Sequence, residues 1–167
     1  MKRILETERL ILRQFELTDA KFIVELVNTP RWIEFIGDRN IRAQEAAITY
    51  LQNGPMKSYE ENGFGLSMVE LKDGTPIGMC GILRRDTLES PDLGFSFLPQ
   101  FMGKGYAFEI ADATLNYAKT ELNLGPILAI TVPTNKKSIR LLEKIGLRFK
   151  QIIYNTEKNE ELMVFST

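Results

Sequence analysis

Apolar and polar positions alternate in two rhythms along this chain, and the places where the rhythm changes divide it. Residues 9–15 (RLILRQF) alternate in part and are rich in Leu and Ile, which predicts a strand, with Thr18 and Asp19 opening a helix behind it. Phe22, Ile23, Leu26 and Val27 then recur on one helical face. A second helical pattern covers about residues 43–52, beyond the irregular PRWIEFIGDRN, and Gly54-Pro55 is expected to stop it. From Gly63 the period shortens to two. GFGLSMVEL and PIGMCGILRR flank KDGT and predict a hairpin turned at Asp73-Gly74, and SPDLGFSFLP adds a third strand to the meander. Next come a helix over roughly residues 105–122, a strand over 126–133, a helix over about 135–145 closed by Gly146, and two strand-like segments, LRFKQIIYN and ELMVFST. The order predicts one α+β domain over residues 1–167, a mixed sheet with helices on its faces.

Composition narrows the chemistry. With 167 residues, 44% hydrophobic and 26% charged, the chain has enough apolar surface for one core. A net charge of −1 gives no positive field to hold a polyanion, so nucleic acid is not an expected partner. The opening MKRILETERLILR is charged throughout and unlike a signal peptide, and no run reaches the roughly 18 apolar residues of a membrane helix. A cytoplasmic protein without membrane attachment is the expectation. The single Cys80 cannot form an internal disulfide, and its apolar setting, PIGMCGIL, suits an inert core thiol rather than a nucleophile. There is no histidine, which removes Ser-His-Asp and Cys-His catalysis and Cys/His zinc sites together.

One stretch stands out against this background: PQFMGKGYAF, residues 99–108, where a strand gives way to a long helix through Gly103, Lys104 and Gly105. Glycines here either permit a tight corner or bare the backbone so that helix-start N–H groups meet an anion such as phosphate, with Lys104 adding charge. The stretch is neither the dinucleotide fingerprint, because Phe108 occupies the third glycine position, nor a Walker loop, because no Ser or Thr follows Gly-Lys.

Gln100-x-x-Gly103-x-Gly105 resembles the acyl-CoA signature of the GCN5-related N-acetyltransferases (GNAT). ETERLILRQFELTDA (residues 6–20) and TNKKSIRLLEKIGLRF (residues 134–149) are similar to the first strand and helix and to a later helix of the branch that acetylates ribosomal-protein N-termini. The three matches occur in order and span nearly the whole chain. The resemblance implies a central, mostly antiparallel sheet of about six or seven strands, splayed in the middle, with helices on both faces. It implies acetyl-CoA as co-substrate, no metal, and transfer to an amine by direct attack in a ternary complex.

Particular residues carry these implications. Main-chain groups of Met102, Gly103, Lys104, Gly105, Tyr106 and Ala107 are expected to hold the pyrophosphate, and Phe95, Phe97 and Leu98 the pantetheine arm by strand addition. Asn135 is a helix cap on its own sequence and, by resemblance, a second contact to that arm. By resemblance to the ribosomal N-terminal branch, Ser138 is a candidate acid and contact beside the thioester sulfur, and the chain departs from many family members at Leu142, where they carry a tyrosine acid. Asp92 is a candidate base acting through water, with Glu70 competing for the role and a solvated strand-edge Asp as the plain alternative. Trp32 and Phe35 are candidates for an acceptor pocket or for simple packing. The acceptor remains open between a protein N-terminal α-amine, that of a ribosomal protein included, and a small amine such as an antibiotic, a polyamine or an amino-acid-like molecule. A CoA-binding module without catalysis is the reading outside enzymes, and a monomer or a homodimer fits either.

Overall fold

A computed structural model describes residues 2–167. Eight strands form one sheet: β1 Arg3–Glu6, β2 Leu10–Arg13, β3 Leu66–Leu71, β4 Pro76–Leu83, β5 Asp92–Phe97, β6 Leu128–Thr131, β7 Arg148–Asn155 and β8 Glu160–Ser166. Their order across the sheet is β1-β2-β3-β4-β5-β6-β8-β7. Every neighbouring pair is antiparallel except β5 and β6, which run parallel. The sheet is therefore mostly antiparallel, as expected, with more strands than the six or seven anticipated. The added strand is β1. It is an edge strand of four residues, RILE, with Ile4 and Leu5 half-buried between exposed Arg3 and Glu6, so it carries no clean alternation to read.

Six α-helices accompany the sheet: α1 Ala20–Val27, α2 Pro30–Phe35, α3 Gln44–Leu51, α4 Lys57–Asn62, α5 Tyr106–Thr120 and α6 Lys136–Lys144. Two differ from the sequence expectation. The segment read as irregular contains α2, whose start is marked by Pro30 in the first turn and by Thr29 Oγ1 accepting from Trp32 N at 3.4 Å. Gly54-Pro55 does not stop α3. A π turn over Gln52–Met56 absorbs the missing Pro55 N–H, and the chain continues as α4 until Gly63 at φ 79°.

Two apolar clusters cover opposite faces of the sheet. One joins Leu10, Leu12, Val69, Cys80 and Ile82 to Ile110, Ala111, Leu115 and Ala118 of α5 and Leu142 of α6. The other joins Met68 and Met79 to Phe22, Ile23, Leu26 and Val27 of α1 and to Ala47 and Leu51 of α3. Adjacent Met68 and Val69 enter different clusters, which is the period-two alternation of β3 made physical. Across the middle of the sheet the strands part. β5 pairs with β4 from Asp92 to Phe97 but meets β6 only at Asp92↔Leu128, so its other edge is unpaired beyond that point.

Candidate active site

The loop between β5 and α5 is an anion nest. Gly103 and Gly105 have φ of 76° and 83°, left-handed values that glycine reaches without strain, and a Cβ on Gly103 would have no atom within 4 Å. Met102 N is bonded to Pro99 O at 3.2 Å, and Glu109 N to Gly105 O at 3.1 Å. Between them, no main-chain N–H of residues 103–108 donates to another described residue. Six consecutive free donors at a helix N-terminus make a cradle for a polyanion such as pyrophosphate. The loop is held from outside by Arg9, whose guanidinium donates to Glu109 Oε1 at 2.7 Å and to Lys104 O at 3.0 Å and lies 4.5 Å from the centre of the Tyr106 ring. Burial alone would raise the Glu109 carboxyl, but bonds from the Thr7 hydroxyl at 2.5 Å and the Arg9 N–H at 2.9 Å help hold it below the usual carboxylate range.

A groove of about 230 Å³ leads from this nest along the open edge of β5. Phe95, Phe97, Met102, Gly103, Gly105, Tyr106, Ala107, Asn135 and Ser138, all singled out in the sequence, line it. A larger cavity of about 700 Å³ opens on the other side of the splay, between α2–α4 and the parted strands. The two share Trp32, Phe35, Ile36, Phe95, Ser96, Asn135 and Ser138. Asn135 caps α6 through its Oδ1, which accepts from Ser138 N at 3.3 Å and also from Arg31 Nη2 at 3.1 Å. Arg31 in turn lies 4.7 Å over the Phe35 ring, so α2 and α6 are tied together where the cavities meet.

A long groove that ends in a nest of free N–H groups, and meets a second cavity at a splayed sheet, fits an extended donor bearing phosphates and a separate acceptor. The family model of the acetyltransferase (GNAT) domain matches residues 9–148. The chain belongs to the GNAT acetyltransferase family. Among relatives, the uncharacterized protein YkkB of Bacillus subtilis is 30% identical over 164 residues, covering 94% of this chain and 92% of YkkB. Among solved structures, the ribosomal-protein-S5-alanine acetyltransferase of Vibrio fischeri superposes with TM-score 0.81 at 19% identity, covering 98% of this chain and 94% of that one. RimL, a ribosomal L7/L12 α-N-protein acetyltransferase in complex with coenzyme A, superposes with TM-score 0.85 at 11% identity, covering 99% and 97%. This protein is an acyl-CoA-dependent N-acetyltransferase.

Within this GNAT domain several sequence candidates sit differently from expectation. Leu98 is core, 3% exposed, and its N–H goes to Ile77 O at 2.9 Å, which leaves it outside the groove. Lys104 is exposed and absent from the groove lining, and its carbonyl is taken by Arg9. Asp92 is not a solvated strand-edge residue. It is wholly buried on the larger cavity, with Arg85 Nε 3.0 and 3.2 Å from its two oxygens. Burial raises its carboxyl above the ordinary range, and Arg85 draws it part of the way back. Glu70 lies outside both cavities, in a buried cluster with Arg13 and Asp19, which removes it as a competing base. Burial pushes the Cys80 thiol up to about 12, and its Sγ reaches Thr114 Oγ1 at 3.5 Å, so it is inert. Trp32 is 3% exposed yet borders both cavities, joining packing and lining in one side chain. Among the described residues no cluster of His, Cys, Asp and Glu is placed to hold a metal, and no helix is long and apolar enough to cross a membrane.

Arg9, Arg31 and Arg85 were not singled out by the sequence. Each works through a partner distant in the chain or across a strand pair, and a lone arginine carries no periodic signal that announces such a partner.

Proposed function

We propose that this protein moves an acetyl group from acetyl-CoA to a primary amine by direct attack, both substrates being bound at once. The observation that carries the reading is the meeting of groove and cavity at Phe95, Asn135 and Ser138. Bound acetyl-CoA supplies an acyl carbon activated as a thioester. The free N–H groups of residues 103–108 hold its pyrophosphate, and the open edge of β5 at Phe95 and Phe97 pairs with the pantetheine amides as an added strand. Asn135 and Ser138 border the reacting end, where the Ser138 hydroxyl hydrogen-bonds the departing sulfur.

The amine enters from the larger cavity beside Trp32 and Phe35. Its nitrogen forms the new C–N bond as the C–S bond breaks, its surplus proton leaves through water to Asp92, and the thiolate takes up a proton from solvent. A carboxylate with a raised pKa is a better base near neutrality than an ordinary one. An N-terminal α-amine is the favoured acceptor, since more of it is neutral at pH 7 than of a lysine amine. The ribosomal acetyltransferases among the structural neighbours support that class. A cytoplasmic setting accords with it.

The test is release of free thiol from acetyl-CoA across a panel of peptides and small amines, with a mass spectrum of the acetylated product. We expect thiol release that depends on the amine and product that gains one acetyl group. Tight acetyl-CoA binding with no turnover on any amine would mean a CoA-binding module.

A further inference from the structure

The larger cavity holds charged groups that the transfer chemistry does not use. Tyr50 of α3 lines it, and its hydroxyl makes no hydrogen bond with any described residue. Arg39 and Arg85 line the same cavity, and their positive charges oppose the rise that burial imposes on the Tyr50 hydroxyl. Arg39 is exposed on the cavity and has neither hydrogen bond nor ion pair. Arg85 spends only its Nε on Asp92, so both its terminal amino groups remain open. The cavity also carries carboxylates: Glu61 is 3.8 Å from Lys57, Asp92 is held by Arg85, and Asp86 and Glu160 are unpaired.

A phenol O–H and two open guanidinium groups supply several donors and no committed acceptor. That set matches a carboxylate, which offers two oxygens to a planar fork. We propose that Tyr50, Arg39 and Arg85 form an anion subsite in the acceptor cavity, and that the acceptor amine carries a carboxylate. The inference rests on the acetyltransferase reading and narrows it: a polyamine, which is cationic throughout, is a poor acceptor. The carboxylate can belong to a free amino acid or to an acidic side chain just after a peptide N-terminus, and the chemistry at the subsite is the same.

The experiment pairs each source with its neutral isostere. Free amino acids are compared with their amides, and peptides beginning Ala-Asp with those beginning Ala-Asn, by kcat/KM for thiol release with saturating acetyl-CoA. We expect the carboxylate member of one pair to be preferred by roughly tenfold or more, chiefly through KM, since one charge-assisted hydrogen bond is worth that much. Which pair shows the preference names the source. In Arg39→Ala, and separately in Tyr50→Phe, the preference ratio should collapse toward one. Equal rates within both pairs, or a ratio that survives both variants, would overturn the subsite. Glutarate, a dicarboxylate without an amine, is titrated by NMR into the CoA-bound protein as a second readout. Its binding to the wild type and loss in Arg39→Ala would uphold the subsite even if no amine were acetylated, a result that would sink the enzyme reading alone. Absence of glutarate binding to the wild type would overturn the subsite on its own.

Discussion

Asn135 Oδ1 receives the α6 main chain and the Arg31 side chain at once, so a single oxygen both caps a helix and pins α2 beside it. Ser138, three residues on, faces the junction of the two cavities from the same turn. A serine hydroxyl is a far weaker acid than a thiol, so the role proposed for it is to hydrogen-bond the leaving sulfur rather than to protonate it outright. Ser138→Ala is accordingly expected to lower kcat about 100-fold under conditions limited by chemistry, with acetyl-CoA affinity by calorimetry nearly unchanged. Full turnover in that variant would reduce Ser138 to a helix residue. With Asp92 as the proposed base, its ionisation is expected to set the pH dependence. Its folded pKa lies above its unfolded one, so the native state holds the proton more tightly, and the activity that needs ionised Asp92 rises with pH through the window above the ordinary carboxylate value. Asp92→Asn should abolish that limb of the kcat/KM profile. Its deficit should shrink at high pH, where the amine is already neutral; a constant deficit at every pH would exclude the base assignment.

At the scale of elements, the β5–loop–α5 unit was legible because each part announces itself locally. Gly103 and Gly105 mark the corner, and Ile110, Ala111, Thr114, Leu115 and Ala118 repeat at helical spacing on the buried side of α5. The unit makes a sharp prediction. Gly103→Val adds a side chain where no protein atom lies within 4 Å, at a φ of 76° that a β-branched residue resists. Acetyl-CoA affinity should fall roughly tenfold or more, the worth of one charge-assisted hydrogen bond, while the circular dichroism of the fold persists. Unaltered affinity would move the pyrophosphate elsewhere. Other elements were illegible for physical reasons. Pro55 reads as a stop, yet a π turn accommodates it because the widened turn leaves its missing donor unneeded. The parting of β5 from β6 is a property of a pair, and neither GFSFL nor ILAIT can state where its partner diverges. Arg9 and Glu109 lie 100 residues apart, so the clasp on the nest exists only in the fold.

For the whole molecule, the larger cavity depends on how the α1–α4 layer is fastened to the sheet. Apolar packing of α1 and α3 on Met68 and Met79 supplies area, but one polar knot adds register. Arg13 on β2 donates through Nη1 and Nη2 to both oxygens of Asp19, each at 2.9 Å, and through Nε to Glu70 on β3 at 3.1 Å. All three are 9% exposed or less, and Asp19 stands at the entrance to α1. The Asp19 carboxylate also accepts from Glu16 N at 2.8 Å, so the turn that launches α1 is bound to the same knot. Removing one partner of a buried ion cluster leaves uncompensated charge, which costs about 3–5 kcal/mol, whereas replacing a whole cluster by apolar groups is often neutral. Arg13→Met strands two carboxylates. It should lower the melting temperature by roughly 6–20 °C, at about 2–4 °C per kcal/mol for a chain of this size. The nest and the β5 edge lie outside the knot, so acetyl-CoA should bind the still-folded Arg13→Met protein with wild-type affinity by calorimetry at low temperature. Replacing Arg13, Asp19 and Glu70 together by Met, Ala and Leu should restore much of the lost melting temperature. If the triple variant were less stable than Arg13→Met alone, the cluster would be stabilising in its own right, and the register of α1 on the sheet would depend on its charges rather than on the packing around them.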